Sequence, residues 1–210
     1  MAAQSGTVAG PEQDQSGESK IQQLRALFAD APETGRKALD NVLGTLTSDA
    51  AAPPPPMESA GRSGSRVGRV SELTIIVPLA PGGAQRLRTF LRLLHGNLAR
   101  GVDPIGTVHD MRFVLLDNDT KLLFATTYDG EWDAYIDDFV TKIPNSMDIL
   151  FCNCKGWPGI RSPEAKDYLA KYQVTAEGWY VANDLTVAET RRLRRIGQAV
   201  DQFLDTVGDE

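Results

Sequence analysis

Apolar residues recur along this chain with two periods, and each change of period marks an element. Residues 73–79 (LTIIVPL) are a nearly continuous apolar run, which predicts a short strand that ends at Pro78 or lies at a sheet edge. Pro81, Gly82 and Gly83 make the turn after it. Over residues 84–98, Leu87, Phe90, Leu91, Leu94 and Leu98 return at helical spacing, with Arg86, Arg88 and Arg92 on the opposite side. Residues 108–116 (VHDMRFVLL) read as a strand. Alternation assigns His109, Met111, Phe113 and Leu115 to one face and Val108, Asp110, Arg112, Val114 and Leu116 to the other. Residues 117–120 (DNDT) tolerate a bent backbone, and residues 121–128 return as a strand, so an antiparallel hairpin is expected. After the Asp129-Gly130 corner the period changes again: Trp132, Ile136, Phe139 and Ile143 recur at helical spacing. Asp129 is placed to cap this helix, Glu131 favours the positive end of its dipole, and Pro144-Asn145 ends it.

The rest of the chain adds a strand-like apolar run at 148–154 (DILFCNC), then a loop of Lys155, Gly156, Trp157, Pro158 and Gly159. Ser162-Pro163 opens a helix lined by Ala165, Tyr168, Leu169 and Tyr172. Residues 178–182 (GWYVA) are the expected last strand. Thr186 and Glu189 have the spacing of a capping box. The long terminal helix they open is expected to turn Leu193, Ile196, Val200, Phe203, Leu204 and Val207 inward. This order contains βαββαβ, with an extra helix before the last strand and a long C-terminal helix. The expected class is therefore α+β, a ferredoxin-like antiparallel sheet. Both faces of the 108–116 strand carry apolar residues, so the sheet needs a second cover. Either the final helix or a second copy of the chain, in a dimeric α/β barrel, would supply it.

Residues 71–207 make up that domain. Before it, residues 50–70 have the Pro, Gly, Ser and Arg content of a linker. Residues 1–49 read as a mostly disordered leash with two short amphipathic helices. Ile21, Leu24, Leu27 and Phe28 mark the first; Ala38, Leu39, Val42, Leu43 and Leu46 mark the second. Two such helices are not stable alone. They dock on the body of the protein or fray, or else residues 18–48 are a docking segment for a protein partner.

Charge and composition then narrow the classes. With 210 residues, 41% of them hydrophobic, the chain has enough apolar material for one real core. A net charge of -6 does not suit bulk nucleic-acid binding, which needs many phosphate-neutralising cations. Cys152 and Cys154 are the two cysteines, a usage that fits a reducing compartment, and a cytoplasmic location is expected. They are too few for structural zinc, and no metal site is expected. The N-terminus lacks the pattern of a secretory signal, and no window reaches the length of a membrane span. No dinucleotide fingerprint or P-loop occurs; the Pro-Gly-Gly turn alone lacks a phosphate loop's spacings.

The pattern VHxxRFV, then LLFATTYDG, then YIDDF, then a Cys-x-x-Gly-Trp-Pro loop resembles a group of bacterial ferredoxin-like domains related in sequence to the dimeric α/β barrels. The resemblance covers roughly residues 71–205. It implies a homodimer and a pocket between sheet and helices. Some relatives of that barrel group bind haem, oxidise substrates or bind small ligands. The resemblance therefore implies a small-molecule-binding domain associated with oxidative metabolism, with haem as the candidate cofactor and a peroxidase- or monooxygenase-like oxidoreductase as the candidate activity. The candidate catalytic residues are His109, Arg112 and Asp129. His109, Tyr128 and Trp132 are the candidate cofactor contacts. Histidine titrates near neutral pH and ligates iron, and an Arg holds a carboxylate or peroxide in bidentate fashion. Each also has a plain structural role open to it: a strand-end histidine, an Arg112–Asp129 ion pair, core aromatics. The alternative function is non-catalytic: an assembly or partner-docking protein that uses its N-terminal segment.

Overall fold

The computed structural model describes residues 12–46, 56–93 and 101–208. The chain divides into two compact units, Met1–Pro54 and Pro55–Glu210. The first contains helices α1 (Glu12–Leu27) and α2 (Glu33–Leu46). Helix α1 begins within the stretch read as disordered. Its first turns are Glu, Gln and Asp without an apolar period, so periodicity could not mark them; Glu and Gln are nevertheless good helix formers. Residues 1–11 lie outside the described residues. Glu33 in the first turn of α2 pairs with Lys37 at 2.7 Å. Arg25 reaches across from α1 to Asp40 of α2 at 3.2 Å.

The second unit is α+β. Its open antiparallel sheet has five strands: β1 (Glu58–Ser59), β2 (Ser65–Val67), β3 (Val70–Pro78), β4 (Val108–Leu116) and β5 (Lys121–Asp129). Its helices are α3 (Gly83–Leu93), α4 (Trp132–Lys142), α5 (Pro144–Phe151), α6 (Ala165–Lys171) and α7 (Val187–Gly208). The strands lie in the order β1-β2-β3-β5-β4. The part β3-β5-β4 is compatible with a ferredoxin-like sheet, in which the third strand enters between the first two. Period-2 alternation puts one face inward. Leu73, Ile75 and Val77 stand opposite Thr126, Phe124 and Leu122, and Phe113 stands opposite Phe124 from the other side. That face joins Leu87, Ile136, Phe139 and Phe151 of α3, α4 and α5 in one core.

Four expectations need correction. First, residues 58–67 lie in the expected linker but form β1 and β2, which extend the sheet from β3. Composition misled here because the glycines serve turns rather than flexibility. Gly64 has φ +89°, and a Cβ there would meet the Glu72 carbonyl oxygen at 2.3 Å. Second, the strand-like run from Asp148 is largely helix α5. As expected, α4 ends just ahead of Pro144, at Lys142, and Pro144 then opens this further helix. Its buried residues Met147, Leu150 and Phe151 have helical spacing, but a short apolar run does not reveal its period.

Third, residues 178–182 form no strand; Tyr180 is exposed. The edge of β3 is instead shared among short pieces. Past β2, residues 172–174 bond to it: Ile76 N–H donates to Tyr172 O at 3.0 Å and Val174 N–H to Thr74 O at 2.9 Å. Residues 153–155 then bond at its end, where Lys155 N–H donates to Pro78 O at 2.8 Å. These pieces occupy the stretch of the β3 edge that a further strand would need. Fourth, the apolar stripe of α7 does not face inward. Among its large apolar residues only Val187, in the first turn, is buried. Helical period shows that a face is apolar, not that something covers it.

Candidate functional site

The β4–β5 hairpin and the first turn of α4 carry the residues expected at the site. Pairing slips between Val108 and Asp110: Val108 stands opposite Tyr128 and Asp110 opposite Thr127. His109 is the extra residue of this bulge. It therefore leaves the face of Met111 and Phe113, where strict alternation had placed it, because a bulge re-aims side chains. Its Nε2 lies 2.6 Å from Oδ1 of Asp129. The two side chains are 24% and 13% exposed.

Asp129 does not cap α4. Its Oδ2 accepts from the Val187 N–H at 2.9 Å, at the start of α7. The corner that joins β5 to α4 thus caps a helix more than fifty residues further along, a link across 58 positions. The N-cap of α4 is Glu131, which makes no side-chain cap bond and pairs with Arg66 instead. Thr186 and Glu189 do form their capping box. Thr186 N–H donates to Glu189 Oε2 at 2.9 Å, and Glu189 N–H donates to Thr186 Oγ1 at 3.2 Å. Arg69 completes this start of α7, donating to Glu189 at 2.8 Å and holding its carboxyl down at about 2, below the usual range.

Arg112 does not meet Asp129. Its partner in register is Ala125, and its Nε lies 2.9 Å from Asp110 on its own strand. Its side chain is largely exposed. Tyr128 and Trp132 are fully buried. The Tyr128 ring stacks on Tyr135, with centroids 3.8 Å apart and planes 4° from parallel. Burial pushes the Tyr128 hydroxyl far above its ordinary pKa; the Glu72 and Glu131 charges add to this and nearby Ser71 opposes it. The Ser71 hydroxyl itself donates to the Gly130 carbonyl at 2.6 Å, and the Tyr128 hydroxyl makes no well-formed hydrogen bond. Trp132 Nε1 is likewise unpartnered, while Trp132 N–H donates to Ala60 O at 2.8 Å. The Arg62 guanidinium sits 5.9 Å from the Trp132 ring centroid.

One buried group was not anticipated. Glu72 is almost fully buried on β3, accepting from the Ser65 N–H at 3.3 Å and from the Thr74 hydroxyl at 3.0 Å. Only its place just ahead of an apolar run hinted at this. The carboxylates of α4 are matched by cations: Lys166 bridges Asp133 and Asp137 at 3.0 and 2.9 Å, and Lys142 pairs with Asp138 at 2.9 Å. Among the described residues no group of three or more His, Cys, Asp or Glu is placed to hold a metal ion. Cys154 is buried, which pushes its thiol up to about 12; Cys152 is exposed, and both are free.

The arrangement assembles one carboxylate-oriented imidazole, His109–Asp129, at the rim of the sheet. A histidine held this way can move a proton. Arg112 is turned elsewhere, and Tyr128 and Trp132 lie beneath the surface. Surface hollows lie apart from these residues. One of about 630 Å³ runs past Pro81, Gly82, Arg88 and Lys155; another of about 270 Å³ lies by Pro158, Asp167 and Lys171. In the N-terminal unit, a hollow of about 440 Å³ is lined by Arg25, Phe28, Arg36, Leu39 and Asp40. No helix among the described residues is long and apolar enough to cross a membrane. Comparison with protein-family models, with curated proteins and with solved structures gave no match.

Proposed function

We propose that this protein is a non-catalytic assembly or partner-docking protein that takes its partner on the α1–α2 hairpin. The observation that carries this reading is the α1–α2 hollow, in a unit that is compact by itself. Phe28 and Leu39 make its floor apolar, Arg36 gives it a cation beside the Arg25–Asp40 ion pair, and Leu24, Leu27 and Val42 stand exposed on the same hairpin. That chemistry suits an apolar side chain flanked by carboxylates on a partner protein, the helix-in-groove kind of recognition. The test compares full-length protein with Leu39→Asp and Arg36→Glu variants as bait in extract of the native host. The reading expects one captured protein that both variants lose. Equal capture by all three baits would sink it.

A second reading keeps the ferredoxin-like dimeric α/β barrel and a small-molecule, oxidoreductase-type role. It is favoured by the outer sheet face, where Ile76, Leu116 and Leu123 are only half-buried and Val114 is exposed. Two such faces packed together would bury this strip beside His109–Asp129. Haem does not fit these residues as they stand. His109 Nε2 is engaged by Asp129, and the buried Tyr128 and Trp132 present no surface to a macrocycle. Adding haem to the purified protein is therefore expected to give no Soret band that His109→Ala abolishes. A band with that dependence would restore the haem-linked oxidoreductase.

A further inference from the structure

We propose that the start of α4 is a binding site for a small oxyanion, a carboxylate or phosphate group, and that Glu131 and the tip of the β1–β2 hairpin close it. Two buried groups point to the site. Tyr128 and Trp132 are fully buried, and neither the Tyr128 hydroxyl nor Trp132 Nε1 has a well-formed hydrogen bond. Buried donors left so are costly, and folded proteins keep few of them. These two flank one corner, residues 129–131, through which β5 passes into α4. The Tyr128 hydroxyl lies by Ser71, whose own hydroxyl donates to the Gly130 carbonyl at 2.6 Å.

The helix start has the character that such a ligand needs. The first N–H groups of a helix have no partner within it and favour negative charge. Glu131 holds the N-cap position of α4 but makes no side-chain cap bond. Two guanidinium groups stand at this point. Arg66 is opposite Ser71, and Ser71 is opposite Tyr128, so their side chains share the sheet face on which α4 packs. Arg62 sits 5.9 Å from the Trp132 ring centroid. The chain's own oxygens take up these donors: the Glu131 carboxylate is on Arg66, and the Ala60 carbonyl accepts from the Trp132 N–H at 2.8 Å. Each stands where an oxygen of the ligand would.

The cover is lightly fastened. Gly61, at φ +111°, lies against the helix start, where a Cβ would meet Glu131 Oε2 at 3.2 Å. The tip is tied down by Arg62 with Asp167 of α6 and by Arg66 with Glu58 and Glu131. All three carboxylates are more than half exposed, and ion pairs in water hold weakly. Charge then fixes how a ligand enters. Glu58, Glu131 and Asp167 already offset the two guanidinium groups, so a free oxyanion is not simply added: it takes the place of Glu131. Binding is therefore weak in the native chain and stronger once Glu131 is removed, a dependence that an uncharged ligand would not show. No residue of the α1–α2 hairpin takes part, so this site stands or falls separately from the docking reading.

The test follows the Trp132 indole N–H of the full-length chain by nuclear magnetic resonance, with the signal assigned through Trp132→Phe. Sodium phosphate or sodium acetate is added in place of sodium chloride at constant ionic strength. A saturable shift of that signal is expected, and the anion that causes it tells a phosphate ligand from a carboxylate. Glu131→Ala should bind the same anion several-fold tighter, a gain that damage to the fold would not produce. Arg66→Gln should bind it several-fold more weakly. Tyr128→Phe should also bind more weakly, with a urea midpoint no lower than that of the native chain. A signal that neither anion moves would overturn the proposal and leave the two donors to buried water. A shift that grows without saturating, or a Glu131→Ala chain that binds no tighter than the native one, would overturn it as well.

Discussion

Two tyrosines stacked ring on ring use their hydroxyls differently. Thr126 Oγ1 donates its one hydrogen to the Asp110 carbonyl at 2.8 Å, so in its 2.7 Å contact with Tyr135 the tyrosine is the donor. Tyr128, 3.8 Å away centroid to centroid, buries a hydroxyl without a well-formed bond. Removing a satisfied buried hydroxyl costs about 1 kcal/mol, whereas removing an unsatisfied one is close to neutral or stabilising. Tyr135→Phe is therefore expected to lower unfolding stability by about 1 kcal/mol, and Tyr128→Phe to leave it unchanged or raise it. Urea denaturation of the two variants checks this; an equal loss from both would mean that Tyr128 has a hydrogen-bond partner. At this scale the site was only partly legible. His109 and Asp129 do come together, but the bulge that joins them leaves no mark on an alternating pattern. Arg112 met a carboxylate on its own strand two positions away, which no pairing argument ranks above one on the neighbouring strand.

The start of α7 shows how one element is held by distant parts of the chain. Its capping box is local, Thr186 with Glu189, whereas Arg69 and Asp129 reach it from β2–β3 and β5. The Glu189 carboxyl is held low mainly by its bond from Arg69, helped by Thr186. A carboxyl with a lower pKa in the folded state adds stability above its unfolded value, and that stability is lost as pH falls through the folded value. The first turn of α7 is expected to loosen as pH drops from about 4.5 toward about 2, and Glu189→Gln to flatten that dependence. Amide exchange at residues 187–190 reads it directly. The capping box was visible in sequence because it is written in four adjacent residues. Long periodic segments such as β3, β5 and α4 were visible for the same kind of reason: one face repeats often enough to declare its period. Helix α5 was not, since eight residues hold too few turns. The missing last strand was not either, because a strand depends on a free edge, and the edge of β3 was already taken by residues far from it in sequence.

For the molecule as a whole, the boundary of the sheet-bearing unit lies earlier than composition suggests. The unit begins at Pro55, and β1–β2 supplies both the Ala60 carbonyl that receives Trp132 N–H and the Arg62 guanidinium over its ring. A chain starting at Pro55 is expected to keep the emission of a buried tryptophan, whereas one starting at Val70 should shift it to the red and unfold at lower urea. Identical emission would mean that β1–β2 contributes no cover. At the other border of the sheet, β4 (nine residues) is paired, among the described residues, only with β5, so its other side is an edge of the sheet. An open, straight, apolar border invites another chain to add on, and folded proteins blunt such borders with charges and bulges. Asp110 and Arg112 supply the charge, and the slip at His109 supplies the kink. The bulge at His109 is therefore expected to keep this border from adding another strand. Deleting His109 would restore unbroken alternation along β4, and the deleted chain is expected to bind thioflavin T and sediment as aggregate under conditions where His109→Ala, with its bulge intact, stays dispersed.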